Sequence, residues 1–310
     1  MLEVDQVTFS YTTEEQILAG VSLSVSEGEI LSVIGKSGAG KSTFLKCIAG
    51  LLSPSSGSIF HSGKEVVGPD EKLIAGHDEI AWIPQEFKED DFYTVFENIK
   101  RHLLHLSREQ QARFTKELID LLDLTSVKEH KSKDLSGGER QRLSIACALA
   151  REPEVLLLDE PFAHLDVHLR KKVGRYLKKL CTTRGMAIIL VTHEGEEALS
   201  WSDKIAFMNK GKIKRKCTPE DAYNHPKSLY EGRFFGELNS IYVENKQHLF
   251  RPWEYKLTRY KNHHPIEVSF LDAEFRSGFY ANFFKLSSGK ELVLFSNELM
   301  RTIKQVYVKK

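Results

Sequence analysis

A glycine-rich segment, Gly35-Lys36-Ser37-Gly38-Ala39-Gly40-Lys41-Ser42, has the most specific chemistry in the sequence. It matches the spacing G-x-x-x-x-G-K-[ST] of loops that bind nucleotide phosphates. The glycines let backbone N–H groups converge on phosphate oxygens, where Cβ atoms would obstruct them. Lys41 would reach the β- and γ-phosphates, and the Ser42 hydroxyl would ligate Mg²⁺. A glycine-rich turn without function is the alternative, but the segment lies between a predicted strand and a predicted helix, as a phosphate-binding loop requires.

A second group of chemically active residues follows a run of aliphatic ones. Val155–Leu158 are all aliphatic, and Asp159 and Glu160 come directly after them. Sheets in α/β proteins place their chemistry at the carboxyl ends of strands. There Asp159 would hold the Mg²⁺ shell, and Glu160 would orient or deprotonate an attacking water. A strand that ends in a solvated Asp-Glu pair is the ordinary alternative, and the phosphate-binding loop elsewhere in the chain favours hydrolysis.

The segment Leu135-Ser136-Gly137-Gly138-Glu139-Arg140-Gln141-Arg142-Leu143 distinguishes between families of nucleotidases. It resembles the signature sequence of ATP-binding cassette (ABC) ATPases, although Gln is commoner than Glu at position 139. Ser136 and the two glycines after it would open a helix and form a second anion-binding site, with an ordinary capped helix start as the alternative. The resemblance implies that Ser136, Gly137 and Gly138 close over the γ-phosphate of ATP bound by a second copy. Two copies would enclose two ATP molecules head to tail.

Further positions of the family pattern occur in the expected order. Tyr11 resembles the aromatic residue that stacks on adenine, and His193 resembles the histidine that hydrogen-bonds the γ-phosphate. Gln85 resembles the glutamine that contacts Mg²⁺ and the attacking water and senses the transporter. Thr43 extends the set of nucleotide-binding residues beyond the phosphate-binding loop. Ala163-His164-Leu165-Asp166 occupies the loop that crosses the dimer interface, with Ala at a position where relatives usually have Ser. Each of these residues alone would be ordinary, and their shared order carries the resemblance.

The resemblance narrows to one branch of the family in the downstream sequence. Thr192–Leu199, Met208–Ile213 and Thr218–Tyr223 are similar to segments of bacterial importer ATPases. Phe250-Arg251-Pro252 resembles the Arg-Pro motif of their C-terminal β domain, often called TOBE. The resemblance implies an ATPase that powers uptake through integral membrane permease subunits, with a solute-binding protein as an indirect partner. It also implies a peripheral place on the cytoplasmic face of the inner (plasma) membrane.

The transported solute is expected to be an inorganic ion such as iron, or a polyamine. Relatives serve ferric iron, sulfate, molybdate, polyamines and sugars, and other subunits select the cargo. A regulatory role of the C-terminal domain, as a sensor of the solute or of a signalling protein, is compatible with this function. The acidic segment Glu86–Asp91 lies where relatives face the membrane subunits. We interpret it as a solvated charge run, with a specific partner surface as the alternative.

The arrangement of the elements predicts an α/β fold. The expected architecture is a P-loop NTPase core of the ABC ATPase type with an antiparallel β subdomain and a helical subdomain, followed by a small C-terminal β barrel. Ile30–Ile34, Val155–Leu158 and Ala187–Val191 are typical of strands in a parallel sheet with crossover helices. Residues from about 90 to 150 are expected to be helical, and short β-like segments follow residue 236. The predicted domains are 1–236 and 237–310.

Composition restricts the class of protein further. The 310 residues include 44 Lys and Arg against 43 Asp and Glu, a net charge of +1. A general nucleic-acid binder needs a basic excess, so no nucleic-acid partner is expected. A soluble ABC ATPase acting on nucleic acid or ribosomes is therefore kept only as the alternative function. The apolar runs are far shorter than the roughly 18 residues of a membrane-spanning helix, and we expect no signal peptide. The 4 scattered cysteines favour free thiols in a reducing cytosol.

Overall fold

The computed structural model describes residues 1–12, 15–84, 90–162 and 165–309. The chain divides into two compact units, Met1–Pro219 and Glu220–Lys310. This division lies earlier in the chain than the domain boundary expected after residue 236. Among the described residues, no helix combines the length and the apolar character that crossing a bilayer requires.

The first unit alternates strands and helices along most of its length. Its strands are β1 (Leu2–Ser10), β2 (Gln16–Val25), β3 (Ile30–Ile34), β4 (Ser56–His61), β5 (Lys64–Glu65), β6 (Ile80–Ile83), β7 (Val155–Asp159), β8 (Ala187–Thr192), β9 (Lys204–Asn209) and β10 (Lys212–Cys217). Its helices are α1 (Lys41–Ile48), α2 (Val95–Lys100), α3 (Arg108–Leu121), α4 (Gly137–Ala150), α5 (Val167–Arg184) and α6 (Gly195–Trp201).

A six-stranded sheet in the order β10-β9-β3-β8-β7-β6 forms the centre of this unit. β3 pairs in parallel with β8 and β9, and β7 pairs in parallel with β6 and β8. Every residue of β3, β7 and β8 is buried, as expected of strands covered on both faces. The register sets Ile34 opposite Thr192 and Asp159 opposite Val191. The three predicted apolar strands are therefore confirmed, and their carboxyl ends lie together at one edge.

A second, antiparallel sheet in the order β2-β1-β4-β5 packs on this core. Its apolar residues share one hydrophobic cluster with residues of β3, β7 and β8. At the end of β4, the buried His61 places Nε2 2.9 Å from Oε2 of Glu154 and 3.4 Å from Oε2 of Glu79. These contacts link the antiparallel sheet to the amino ends of β6 and β7.

The region from 90 to 150 is mainly helical, as predicted. Thr94, Ser107 and Ser136 begin α2, α3 and α4, and each forms a capping box with a Glu or Gln three residues later. Such reciprocal bonds satisfy backbone N–H groups that a helix start otherwise leaves without partners. The buried faces of these helices join a cluster that includes Leu118 and Leu143 and covers the second face of the large sheet.

The second unit is rich in β structure. Its elements are α7 (Pro219–Asn224, which begins at the division), α8 (Leu229–Gly232), β11 (Asn239–Val243), β12 (Lys246–Phe250), β13 (His263–Arg276), β14 (Phe279–Leu286), β15 (Glu291–Ser296) and β16 (Gln305–Lys309). β11 pairs with β12, and the remaining strands form a sheet in the order β15-β14-β13-β16. Both sheets contribute to one core, which includes Ile241, Phe284 and Val306. The prediction of a small C-terminal β domain is confirmed.

One buried arginine explains why the division falls near residue 219. Arg251 is only 5 % exposed, and its guanidinium donates to the carbonyl oxygens of Tyr223 (3.0 Å), Gly232 (2.9 Å) and Glu237 (3.2 Å). It also lies over the Tyr223 ring at 4.2 Å, and burial lowers its pKa. Arg251 thereby holds residues 223–237 against the strands that follow. The functional boundary after residue 236 stays a prediction.

Candidate active site

The glycine-rich loop connects the central strand β3 to helix α1. Gly38 and Gly40 adopt positive φ values of 76° and 98°, which glycine reaches without the steric cost that a Cβ atom imposes. A Cβ atom at Gly40 would lie 2.9 Å from the carbonyl oxygen of Ile17. The buried Lys41 turns back over the loop, and its Nζ donates to the carbonyl oxygen of Gly35 at 2.8 Å. The loop therefore curls around a cationic amino group.

The β9–β10 hairpin supports this loop from outside the site. A Cβ atom at Gly35 would collide with the carbonyl oxygen of Met208, so only glycine allows the loop to pass this close to β9. Gly211, in the hairpin turn, donates its N–H to the Ala39 carbonyl oxygen at 3.1 Å and accepts the Ala19 N–H at 2.9 Å. The turn thus joins the phosphate-binding loop to the antiparallel sheet.

The acidic residues of β7 face the start of α1. Asp159 is 4 % exposed, and the side chain of Ser42 is hydrogen-bonded to its carboxylate. Burial raises the pKa of Asp159, while the Ser42 hydrogen bond opposes that shift. Burial lowers the pKa of Lys41, and the charges of Glu160 and Asp159 oppose this shift. A cation and two carboxyl groups therefore meet in a poorly solvated place.

Glu160 and His193 form a contact between the ends of two neighbouring strands. Glu160 has a φ of 50°, and its N–H donates to the Val191 carbonyl oxygen at 2.9 Å. Positive φ costs a side-chain-bearing residue roughly 1–2 kcal/mol, so the surrounding structure must hold it. Nδ1 of His193 lies 3.1 Å from Oε1 of Glu160. The strained turn after β7 thus directs the Glu160 carboxylate toward the residue that follows β8.

Most of these groups line one cleft of 680 Å³, whereas Gly35 and Asp159 are not among its lining residues. The lining contains most of the predicted phosphate-binding and catalytic residues, together with one residue just before β2 and one within it: Glu15, Ile17, Ser37, Gly38, Gly40, Lys41, Ser42, Thr43, Glu160 and His193. Clefts of roughly 300–1,000 Å³ are typical of small-molecule sites. A cation, hydroxyl groups and exposed loop N–H groups give this cleft the chemistry of a polyphosphate site.

The predicted adenine-stacking residue lies close to this cleft. Tyr11 is 58 % exposed, and its ring meets the Phe9 ring edge-on at a centroid distance of 4.8 Å. Its hydroxyl lies 3.4 Å from Oγ1 of Thr43, in the first turn of α1. An exposed ring at this place leaves one face free for a planar base to stack.

The structure does not bring all predicted site residues into the cleft. Ser136, Gly137 and Gly138 are not among the lining residues; Ser136 instead exchanges hydrogen bonds with Glu139 (2.7–3.3 Å). Gln85 lies outside the described residues. The same holds for 163 and 164 of the predicted interface loop and for 86–89 of the acidic segment.

Sequence reasoning missed one residue of α4 that reaches the catalytic loop. Gln141 is 2 % exposed, and its Nε2 donates to the Pro161 carbonyl oxygen at 2.5 Å and to that of Glu160 at 3.4 Å. The sequence feature that could have indicated a role for Gln141 is its position within the signature segment. This contact ties the helix that begins at Ser136 to the turn that holds Glu160.

Two family models match overlapping regions of the chain. The family model described as ABC transporter matches residues 18–163. A model described as AAA domain, putative AbiEii toxin, type IV TA system, matches residues 128–199. Both matched regions contain the segment that begins at Ser136.

Curated relatives match most of the chain. The sulfate/thiosulfate import ATP-binding protein CysA of Pseudomonas syringae pv. tomato is 36 % identical over 260 residues, which are 81 % of this chain and 78 % of the relative. The spermidine/putrescine import ATP-binding protein PotA of Spiroplasma citri is 38 % identical over 243 residues, 78 % of this chain and 68 % of the relative.

Solved structures show the same fold. A dimeric ATP-binding cassette in a post-hydrolysis state, bound to ADP and Pi, superposes with a TM-score of 0.64 at 29 % identity, over 71 % of this chain and 99 % of that one. An ATP-binding subunit of an ABC transporter gives a TM-score of 0.65 at 28 % identity, over 72 % and 91 % of the two chains.

Proposed function

The chain belongs to the ATP-binding proteins of ABC transporters, and we propose that it is the ATP-hydrolysing subunit of an importer. The observation that carries the proposal is the single cleft lined by Lys41, Ser42, Glu160 and His193, with Asp159 bonded to Ser42 beside it. In this site water attacks the γ-phosphorus of ATP, the bond to the ADP oxygen breaks, and ADP and inorganic phosphate leave.

Each residue of the cleft has a defined task in this reaction. The loop N–H groups and Lys41 bind the β- and γ-phosphates and stabilise charge that moves onto them. Glu160 orients the attacking water and accepts its proton, and His193 bonds the γ-phosphate from the same side. Gln85, which lies outside the described residues, is assigned contacts to Mg²⁺ and the attacking water by resemblance alone.

The hydroxyl of Ser42 and the carboxylate of Asp159 are the groups that would hold Mg²⁺. Oxygen ligands of this kind suit the ion, and because burial raises the pKa of Asp159, a cation beside the carboxylate would favour its charged form. When bound there, Mg²⁺ would supply positive charge that offsets the negative charge of the β- and γ-phosphates. The donor set and its burial therefore fit the ion.

Two copies of the chain are proposed to enclose ATP head to tail, with Ser136, Gly137 and Gly138 of each copy facing the cleft of the other. Dimeric relatives of the same fold support this arrangement. Permease subunits in the membrane are the further partners, and a solute-binding protein acts on the other side of the membrane. The chain then works at the cytoplasmic face of the membrane.

The relatives favour two classes of cargo with opposite charge. The CysA relative is a sulfate/thiosulfate importer subunit and the PotA relative a spermidine/putrescine importer subunit. Inorganic anions and polyamines are therefore the proposed cargo classes, and iron rests on the resemblance of the C-terminal segment. Uptake of labelled sulfate and of labelled spermidine by cells with and without this chain separates the two classes.

The substitution Glu160→Gln tests the assignment of the proton acceptor. Gln keeps the shape and the contact to His193 but lacks the basic carboxylate, so we expect ATP turnover to fall at least about 100-fold. ATP binding is expected to stay within about twofold, and ATP is expected to trap the dimer. Phosphate release, nucleotide binding and size-exclusion chromatography measure these effects.

Glu194→Gln provides the matched control for this experiment. Glu194 lies 3.6 Å from the other side of the His193 ring and is 56 % exposed, so its variant should turn over at the native rate. Native turnover by Glu160→Gln contradicts the assignment. Copurification with ribosomes or DNA instead of membrane proteins would favour the alternative function.

A further inference from the structure

An ion pair between the buried Glu197 and the partly exposed Arg170 lies behind the catalytic residues, and neither residue lines the nucleotide cleft. Glu197, in α6, is 5 % exposed, and its Oε1 lies 3.2 Å from Nη1 of Arg170 in α5. Burial raises the pKa of Glu197, and Arg170 opposes that shift. Neither residue belonged to the predicted site.

The carboxylate of Glu197 also bonds to the end of β8. Oγ1 of the buried Thr192 donates to Oε2 of Glu197 at 2.7 Å. The same hydroxyl oxygen accepts the N–H of Glu194 at 3.0 Å. Because Thr192 and Glu194 flank His193, these two bonds define the backbone turn from which the His193 side chain projects.

The arginine of the pair bonds to the loop that follows Glu160. Nη2 of Arg170 donates to the carbonyl oxygens of Phe162 and Leu165, both at 3.3 Å. Planar guanidinium groups hold several acceptors in a defined geometry. Arg170 thus connects the loop after Glu160 to Glu197, and through it to Thr192.

Apolar packing fixes the same helices against each other. The buried Phe162 ring meets the Trp201 ring at 4.6 Å, nearly edge-on. A Cβ atom at Gly174 of α5 would lie 2.7 Å from the Trp201 ring, so glycine lets α5 and α6 approach closely. The ion pair therefore lies between elements that cannot readily move apart.

We propose that Arg170 and Glu197, together with the Thr192 hydroxyl, are positioning residues that hold His193 against Glu160. The contacts form a closed path: the loop after Glu160 binds Arg170, Arg170 binds Glu197, Glu197 binds Thr192, and His193 returns to Glu160. The inference rests on the proposed function, because it assigns the pair to the same hydrolysis. Neither residue of the pair lines the cleft in which ATP is proposed to bind.

The energetics of buried charge favour a positional role over a stabilising one. The buried Glu197 loses its hydration and Arg170 loses part of its own, and the attraction within such a pair often only balances that loss. A well-packed apolar pair would serve stability equally well. An ion pair with several directed hydrogen bonds instead specifies one arrangement of the loops that carry Glu160 and His193.

The hydroxyl of Thr192 allows the sharpest test, because two substitutions separate it from packing. Thr192→Val keeps the shape and removes both hydrogen bonds, whereas Thr192→Ser keeps the oxygen. We expect kcat of Thr192→Val to fall about 10- to 100-fold, since small misplacements of reacting groups have effects of that size. KM for ATP should stay within about twofold, and Thr192→Ser should retain near-native kcat. Steady-state kinetics well below the melting temperature of each variant measure both constants for fully folded protein.

Arg170→Met and Lys172→Met form a matched pair on one helix. Lys172 makes an exposed ion pair with Asp123 at 2.7 Å, so its loss removes a cation from α5 without disturbing the network. We expect Arg170→Met to lower kcat like Thr192→Val and Lys172→Met to have no effect. The double variant of Arg170 and Thr192 should be little worse than either single variant, because both act through one path.

Native kcat in folded Thr192→Val would overturn the proposal, and so would an equal loss of kcat in Thr192→Ser and Thr192→Val. Hydrogen exchange of the segment 192–197 gives a readout that does not depend on turnover. It should quicken in Thr192→Val and Arg170→Met but not in Thr192→Ser or Lys172→Met; unchanged exchange in all four also contradicts the proposal. Absence of ATPase activity in the native chain contradicts the proposed function instead.

Discussion

Two helices of the first unit, α1 and α4, both begin at glycine-rich motifs but are capped differently at their amino ends. α1 starts at Gly40, which has no side chain to cap it, and no acidic residue lies in its first turn. α4 starts at Ser136, whose side chain and backbone bond reciprocally with Glu139. The amino end of α1 therefore keeps N–H groups for a ligand, whereas α4 satisfies part of its own need.

The difference in capping indicates which helix start can bind phosphate in a single chain. The start of α1 lines a cleft that also contains Lys41, Glu160 and His193, so it is surrounded by the groups that phosphate chemistry needs. The start of α4 has a carboxylate where an anion would bind. In the proposed dimer, the phosphate bound by a second copy would compete with Glu139 for the Ser136 hydroxyl.

The largest expected effect comes from Lys41→Met. The substitution removes the buried cation at the α1 start, so we expect ATP turnover to fall at least about 100-fold and ATP binding to weaken strongly. Lys46→Met, later in the same helix, is the control and should bind ATP normally. Binding of a fluorescent ATP analogue and phosphate release measure the two effects. ATP binding with native affinity in Lys41→Met would contradict the claim that the start of α1, unlike that of α4, binds phosphate in a single chain.

A smaller effect of a different kind is expected from Ser136→Ala. Loss of the cap costs about 1 kcal/mol of stability, and single-chain ATP binding should be unchanged because Ser136 lies outside the cleft. Turnover should nevertheless fall about tenfold or more, since the partner's phosphate loses a hydrogen-bond donor.

Mixing the two variants sharpens this prediction. A dimer of one Lys41→Met chain and one Ser136→Ala chain contains one complete site, formed by the intact loop of one copy and the intact α4 start of the other. We expect ATP-dependent dimers, detected by size-exclusion chromatography on the Glu160→Gln background, to be more abundant in the mixture than in either variant alone. No gain on mixing would refute shared sites.

The smallest expected effect comes from Glu139→Gln, which keeps the capping geometry but removes its charge. Hydrogen bonds from the side chain and the backbone of Ser136 lower the pKa of Glu139 below its usual 4.5. Its stabilising contribution is therefore present above pH 4.5 and is lost as the pH falls through the lowered pKa. Because the side chain is partly exposed to solvent, we expect only a few tenths of a kcal/mol at neutral pH.

Chemical denaturation at pH 7 and pH 3 tests this prediction. The difference in unfolding free energy between native chain and Glu139→Gln should shrink toward zero at the lower pH. A difference that stays constant would show that the Glu139 charge does not stabilise the start of α4. Glu97→Gln, at the equivalent place in the α2 capping box, is the comparison variant.

Local sequence patterns predicted those elements whose character depends on neighbouring residues. The apolar runs of β3, β7 and β8 are buried on both faces, and such strands show as continuous aliphatic segments. The loop before α1 was equally predictable, because its backbone geometry requires glycines at fixed positions in the sequence. The C-terminal strands were predicted only as short β-like segments after residue 236, although in β16 the buried Val306 and Val308 alternate with more exposed residues.

The unpredicted features depend on residues far apart in the chain. Arg170 and Glu197 come from different helices, and nothing in their local sequences indicates that they meet. The same holds for Gln141 and the carbonyl oxygen of Pro161. Long-range polar contacts are set by how helices pack on the sheet, and a lone Arg or Glu in an amphipathic helix usually indicates a solvated surface.

The hairpin turn at Gly211 has a consequence for how much conformational entropy is lost when the site binds its ligand. Its backbone bonds to Ala39 and Ala19 give the phosphate-binding loop its shape before any nucleotide arrives. An incoming polyphosphate then meets a finished surface and does not have to order a flexible segment, so little conformational entropy is lost on binding. The preorganised conformation of the loop therefore depends on a strand pair that lies more than 160 residues further along the chain.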